Sequence, residues 1–70
     1  MTYWDKLRAM SPTELIAERD RQNERHDRAV DRCEKINSPT IEDAAAKSKA
    51  ATTELRVRGY NPWADEPERL

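Results

Sequence analysis

His26 and Cys33 are the sole imidazole and the sole thiol of this 70-residue chain, and so its first candidates for a nucleophile, a base or a soft metal ligand. They stand seven residues apart, on one face of a helix but two turns and about 10 Å from each other, too far for a nucleophile–base dyad. A zinc site needs ligands that no second His or Cys can supply, and no carboxylates stand at metal-ligand spacing. His26 therefore reads as a polar residue of a helix seam and Cys33 as a small buried hydrophobe. With a single glycine there is no phosphate-cradling loop, and no catalytic, metal-binding or cofactor-binding residue is assigned. The expected protein is not an enzyme.

Charge is the more ordered signal. Asp20, Glu24, Asp27, Asp31 and Glu34 recur at spacings of four and three, and Arg21, Arg25, Arg28, Arg32 and Lys35 follow one position later. On a helix these make adjacent acidic and basic stripes, whose cross pairs, such as Glu24 with Arg28 and Asp31 with Lys35, are ordinary weak surface ion pairs. The stripes could also dock charge-complementary helices, including a second copy of the chain. A phosphate track along Arg21, Arg25, Arg28 and Arg32 is less expected, because the neighbouring carboxylates cancel its field. The aromatic residues Trp4, Tyr60 and Trp63 are rare in so polar a chain; they read as a lid over a small core, or else as anchors for a partner.

These residues must be positioned by helices. Ser11-Pro12-Thr13-Glu14 carries an N-cap, a proline suited to the first helical position and a capping-box Glu, with Met10 and Leu15 placed as a hydrophobic staple. Ser38-Pro39-Thr40 starts a second long helix, and Thr2-Tyr3-Trp4-Asp5 a short leading one. Gly59 follows a basic stretch and places Tyr60 and Leu55 at the touching positions of a Schellman stop. The expected fold is all-α: a short helix over 3–10, long helices over 12–36 and 39–58 folded back antiparallel, and an extended tail over 60–70 packing at the open end, one domain over 1–70. The duplicated Ser-Pro-Thr is two helix starts using one chemistry, since the residues that follow do not match.

The seam of the first long helix, Leu15, Ile16, Arg19, Gln22, Asn23, His26, Ala29, Val30, Cys33 and Ile36, is apolar at its ends and polar in its middle. Ile41, Ala44, Ala45, Ser48, Ala51, Thr52 and Leu55 would answer it, with Cys33 near Ala44, His26 near Ala51 and Gln22 near Leu55. Tyr3, Trp4, Leu7, Tyr60 and Trp63 would close the open end over Leu15 and Ile16.

Thirteen basic against 14 acidic side chains, a net charge of −1, give no global attraction to nucleic acid or an acidic membrane. No apolar run is long enough for a span or a secretory leader, so a cytoplasmic, membrane-free protein is expected. At 36% hydrophobic residues the core is thin, and help from a partner is expected. The reading is a non-enzymatic helical hairpin that binds another protein, with Arg21, Arg25, Arg28, Arg32, Trp4, Tyr60 and Trp63 as the candidate contacts. By association alone, its size suits an accessory or inhibitory protein of the kind phages and mobile elements encode. The alternatives are nucleic-acid backbone binding through the arginine stripe and a self-assembling coiled coil or homodimer.

Overall fold

A computed structural model describes residues 2–32 and 39–70. Helix α1 spans Tyr3–Arg8, α2 Pro12–Asp31 and α3 Pro39–Val57; α2 and α3 lie along each other as an antiparallel hairpin, and α1 packs on α3. The expected starts form as read. Thr2 and Asp5 close a capping box at 3.2 and 3.1 Å, and Ser11 and Glu14 close another at the same distances, with Pro12 in the first turn. Arg32 caps α2 through its backbone N–H. The expected last turn through Cys33 and Ile36, the Asn37-Ser38 joint, the Ser38 cap, and the stripe residues Glu34 and Lys35 lie outside the described residues.

The stop of α3 is the Schellman arrangement. Tyr60 N–H donates to Leu55 O at 3.0 Å and Gly59 N–H to Arg56 O at 3.0 Å, while Gly59 takes φ +83°. That left-handed conformation is cheap for glycine and costly for any residue with a Cβ.

The core is smaller and more alanine-rich than expected. Leu7, Leu15, Ile16, Ala50, Ala51 and Leu55 are buried together, with Tyr3, Met10 and Tyr60 packed partly against them. Ala29, Ile41 and Ala44 are buried towards the joint. Between these apolar ends lie Glu18, Arg19, Gln22 and Thr52, all buried; Arg19, Gln22 and Thr52 are on the seam as read, whereas Glu18 was not expected there, Asn23 is exposed and His26 is half-buried. Ala50 replaces the expected Ala45, which is exposed, and Val30 at the edge of the seam is half exposed.

Three expectations are corrected. The register differs by more than a helical turn: Ser48 Oγ donates to Asn23 Oδ1 at 2.5 Å and Arg25 to Asp43 at 2.6 Å, so His26 sits beside Ala45 and Ser48 rather than Ala51. Small alanines line α3 on successive turns, and several registers offer equivalent close approach. The aromatic lid omits both tryptophans. A helix as short as α1 turns one i, i+4 pair inward, here Tyr3 and Leu7, which leaves Trp4 43% exposed; in the tail Pro62 is buried and Trp63 points outward. Finally, the tail folds back instead of running extended: Asn61 N–H donates to Glu68 O at 2.6 Å, Leu70 N–H to Gly59 O at 2.9 Å, and Tyr60 bridges Arg69 in antiparallel sense.

Arg58, read from sequence only as a cation at a helix C-terminus, holds α1 in place. Its guanidinium donates to the carbonyls of Met10 at 2.6 Å, Leu7 at 3.1 Å and Arg8 at 3.0 Å, and pairs with Glu54 at 2.9 Å. The carbonyls of Leu7 and Arg8 belong to the last turn of α1, which leaves them without intrahelical donors. Arg58→Ala should therefore lower stability by about 2–3 kcal/mol, a fall of roughly 8–24 °C in Tm for a domain of this size. Arg58→Lys should recover less than half, because one ammonium does not span three carbonyls as the planar guanidinium does. Gly59→Ala should cost about 1 kcal/mol, all of it from the positive φ, since an added Cβ meets nothing within 4 Å. Thermal melts followed by far-UV circular dichroism check all three.

Candidate functional site

Two surfaces carry the candidate residues, and they lie on opposite flanks of the hairpin. At about 100° per residue, Arg21, Arg25, Arg28 and Arg32 share one flank of α2, while Arg19, Asn23 and His26 fall on the other. The contacts agree: Arg25 reaches Asp43 on the first flank and Asn23 meets Ser48 on the second.

On the first flank Arg21, Arg25, Arg28 and Arg32 line one open groove with Glu24 and Thr40. The sequence-predicted stripe is therefore brought together as one surface. Its charges are largely matched. Arg21 pairs with Glu18, Arg25 with Asp43, and Arg28 with Glu24 at 2.6 Å, while Arg32 has no carboxylate partner among the described residues. Lys47 reaches Asp43 at 3.1 Å and lies 5.5 Å from the Tyr3 ring centroid. Hydrogen bonds from Arg25 and then Lys47 hold the Asp43 carboxyl below its ordinary range.

Glu18 ties this flank to α1. Its buried carboxylate accepts from Tyr3 Oη at 2.6 Å, from Arg21, and from Gln22 Nε2 at 3.4 Å. Burial works to raise its pKa, but the Tyr3 hydrogen bond, the Arg21 charge and the Gln22 bond outweigh it and leave the group below the usual glutamate range. Tyr3 is pushed well above the ordinary phenol range, first by burial and then by its bond to Glu18 and that group's negative charge.

On the second flank stands Trp63, 70% exposed, at the edge of a recess lined by Asn23, His26, Ser48, Lys49 and Thr52. Its backbone is pinned on every side. Trp63 N–H donates to Asn61 Oδ1 at 3.0 Å, and Ala64 N–H to Asn61 O at 3.4 Å. Arg19, only 5% exposed, donates through Nη1 to the carbonyls of Pro62 and Ala64, both at 2.8 Å, and through Nε and Nη2 to Asp20 Oδ1. Arg69 closes the loop base, its guanidinium 5.2 Å from the Tyr60 centroid. Tyr60 is thus half-buried in the fold, and Trp4 stands apart on α1. Sequence reasoning passed over Arg19 as a fastener; the available signal was an arginine on the inward face of α2.

Among the described residues no group of His, Cys, Asp and Glu is placed to hold a metal ion, and no helix is long and apolar enough to cross a membrane. No family model matches the chain, and neither a curated protein nor a solved structure matches it.

The Tyr3–Glu18 pair predicts stability that falls at both ends of the pH scale. Glu18 titrates lower when folded, so its contribution is present above its unfolded value of 4.5 and is lost as pH falls through the folded value. Tyr3 titrates higher when folded, so its contribution is present below 10.0 and is lost as pH rises beyond it. Chemical unfolding across pH should show both losses. Tyr3→Phe should abolish Tyr3's own alkaline contribution, and Glu18→Gln should flatten the acid limb relative to the parent.

Proposed function

We propose that this chain is a non-enzymatic module that binds another protein, and that the Trp63 loop is its docking element. The observation that carries the reading is an indole left 70% in water on a loop fastened by the buried guanidinium of Arg19. An exposed tryptophan offers a large apolar area that only a partner can cover, and tryptophan is prominent among residues that dominate binding energy. Ordering a flexible loop on binding costs free energy, and a loop already held by its own hydrogen bonds avoids most of that cost. The neighbouring recess adds polar groups from Asn23, Ser48 and Lys49 that can orient a partner around the indole. An accessory or inhibitory role fits a small module of this kind.

The nucleic-acid alternative draws on the arginine groove, and the pairing of Arg21, Arg25 and Arg28 with carboxylates weighs against it. Phosphate binding would have to displace those carboxylates or leave them facing the backbone of the nucleic acid.

A photo-crosslinking residue placed at position 63 should capture a discrete protein in extract of the native cell. The same residue at Val57, which is 76% exposed on α3, should capture none. Trp63→Ala should weaken retention of that partner by roughly 30-fold or more with helicity unchanged. Equal capture at both positions would remove the reading.

A further inference from the structure

The Trp63 loop and the arginine groove are complementary in charge, yet they cannot meet within one molecule. The loop continues from Trp63 into Asp65, Glu66 and Glu68, all exposed and without an ion-pair partner among the described residues. Arg21, Arg25 and Arg28 of the groove each already pair with a carboxylate, so its free positive charge lies at Arg32, which lacks a carboxylate partner among the described residues, and at the outward nitrogens of Arg28 and Arg21, whose side-chain exposures are 67% and 63%. Arg19 fastens the loop to the flank of α2 opposite the groove, with the width of the hairpin between them.

We infer that the groove of one molecule takes the Trp63–Glu68 loop of a second copy of this chain, so that copies join head to tail. The inference rests on the Trp63 loop being the docking element, and it names the partner. The loop carboxylates would pair with Arg32 and with the solvent-facing nitrogens of Arg28 and Arg21, which exposed ion pairs of the Arg28–Glu24 kind hold only weakly. The indole would lie against guanidinium planes, the surface that best matches an aromatic face. Because the two surfaces differ, each added copy still offers one free groove and one free loop. Association is then open-ended unless a ring closes.

Sedimentation equilibrium of the full chain over a range of concentrations, at about 0.1 M and about 1 M salt, tests this; the screening length falls from about 10 Å to about 3 Å between them. The expected result is a mass that grows with concentration at low salt and an association constant at least about tenfold weaker at high salt. Two variants then separate the surfaces. Arg28→Gln/Arg32→Gln removes the groove and keeps the loop; Trp63→Ala/Asp65→Asn/Glu66→Gln removes the loop and keeps the groove. All five positions are exposed, and circular dichroism checks that both variants fold. Each should be monomeric alone, and an equimolar mixture should give a 1:1 heterodimer that grows no further, since only one intact contact remains.

A chain that keeps its own mass at every concentration at low salt overturns the inference, as does assembly insensitive to salt, a variant that still assembles alone, or a mixture that stays monomeric. A strictly monomeric chain whose position 63 still crosslinks a foreign protein overturns self-association and leaves the docking reading standing. Assembly undiminished by Trp63→Ala alone overturns the inference that the indole enters the groove, and the crosslink at position 63 then decides the docking reading by itself.

Discussion

Two buried or half-buried guanidinium groups, each satisfying backbone carbonyls, hold the ends of this chain to its hairpin. The need for them follows from composition. A seam whose middle is Glu18, Arg19, Gln22 and Thr52 contributes little apolar burial over its central turns, and the apolar end holds three large fully buried side chains, Leu7, Leu15 and Leu55. A cluster of that size cannot by itself order a six-residue helix on one side and a proline-rich tail on the other. Arg58 supplies donors to the carbonyls at the end of α1, and Arg19 to Pro62 and Ala64 in the tail. Charge-assisted bonds to backbone carbonyls are among the stronger single contacts a small domain can make. The direction of Trp63 depends on Arg19, because the carbonyls it grips are those immediately before and after the tryptophan.

What was legible in the sequence is what is local. A cap is decided by the chemistry of four or five neighbouring residues, and so Thr2 with Asp5, Ser11 with Glu14, and Gly59 with Tyr60 and Leu55 all take the roles their types and spacing announce. The two stripes were legible for the same reason, since a helix converts spacing into faces without reference to anything else, and Arg28 pairs with Glu24 as the i, i+4 rule requires.

The rest depends on partners far away in the chain. Register was not legible because α3 presents small residues on nearly every turn, and alanine in one groove is worth much the same as alanine in the next. The contacts that discriminate are polar ones, Asn23 with Ser48 and Arg25 with Asp43, whose meeting depends on the length of chain between the helices. Both tryptophans were read as part of a lid over the open end, with partner anchors as the alternative, from their size and their place at the two termini. Burial of a tryptophan is worth several kcal/mol only where a cavity of its shape exists, and a hairpin lined with alanine offers none. The geometry instead turns inward the residue beside each, half-burying Tyr3 beside Trp4 and burying Pro62 beside Trp63. Arg19 and Arg58 were hidden among nine arginines, because nothing in an arginine's neighbours tells whether its guanidinium faces water or a carbonyl.

The same geometry explains why the molecule has two unlike faces. The α1 side carries Tyr3, Glu18 and Lys47, and extends along α2 into the arginine groove; the tail side carries Arg19, Pro62 and Trp63, and extends into three carboxylates without an ion-pair partner among the described residues. Arg19 and the tail it holds lie on the flank of α2 opposite the arginine stripe, so the two sets of groups are kept apart by the helix itself. Charge of opposite sign can then accumulate on the two sides without collapsing together. On opposite flanks of one helix, an acidic loop bearing an exposed indole and a groove of arginines must find their complements outside the molecule or remain in water.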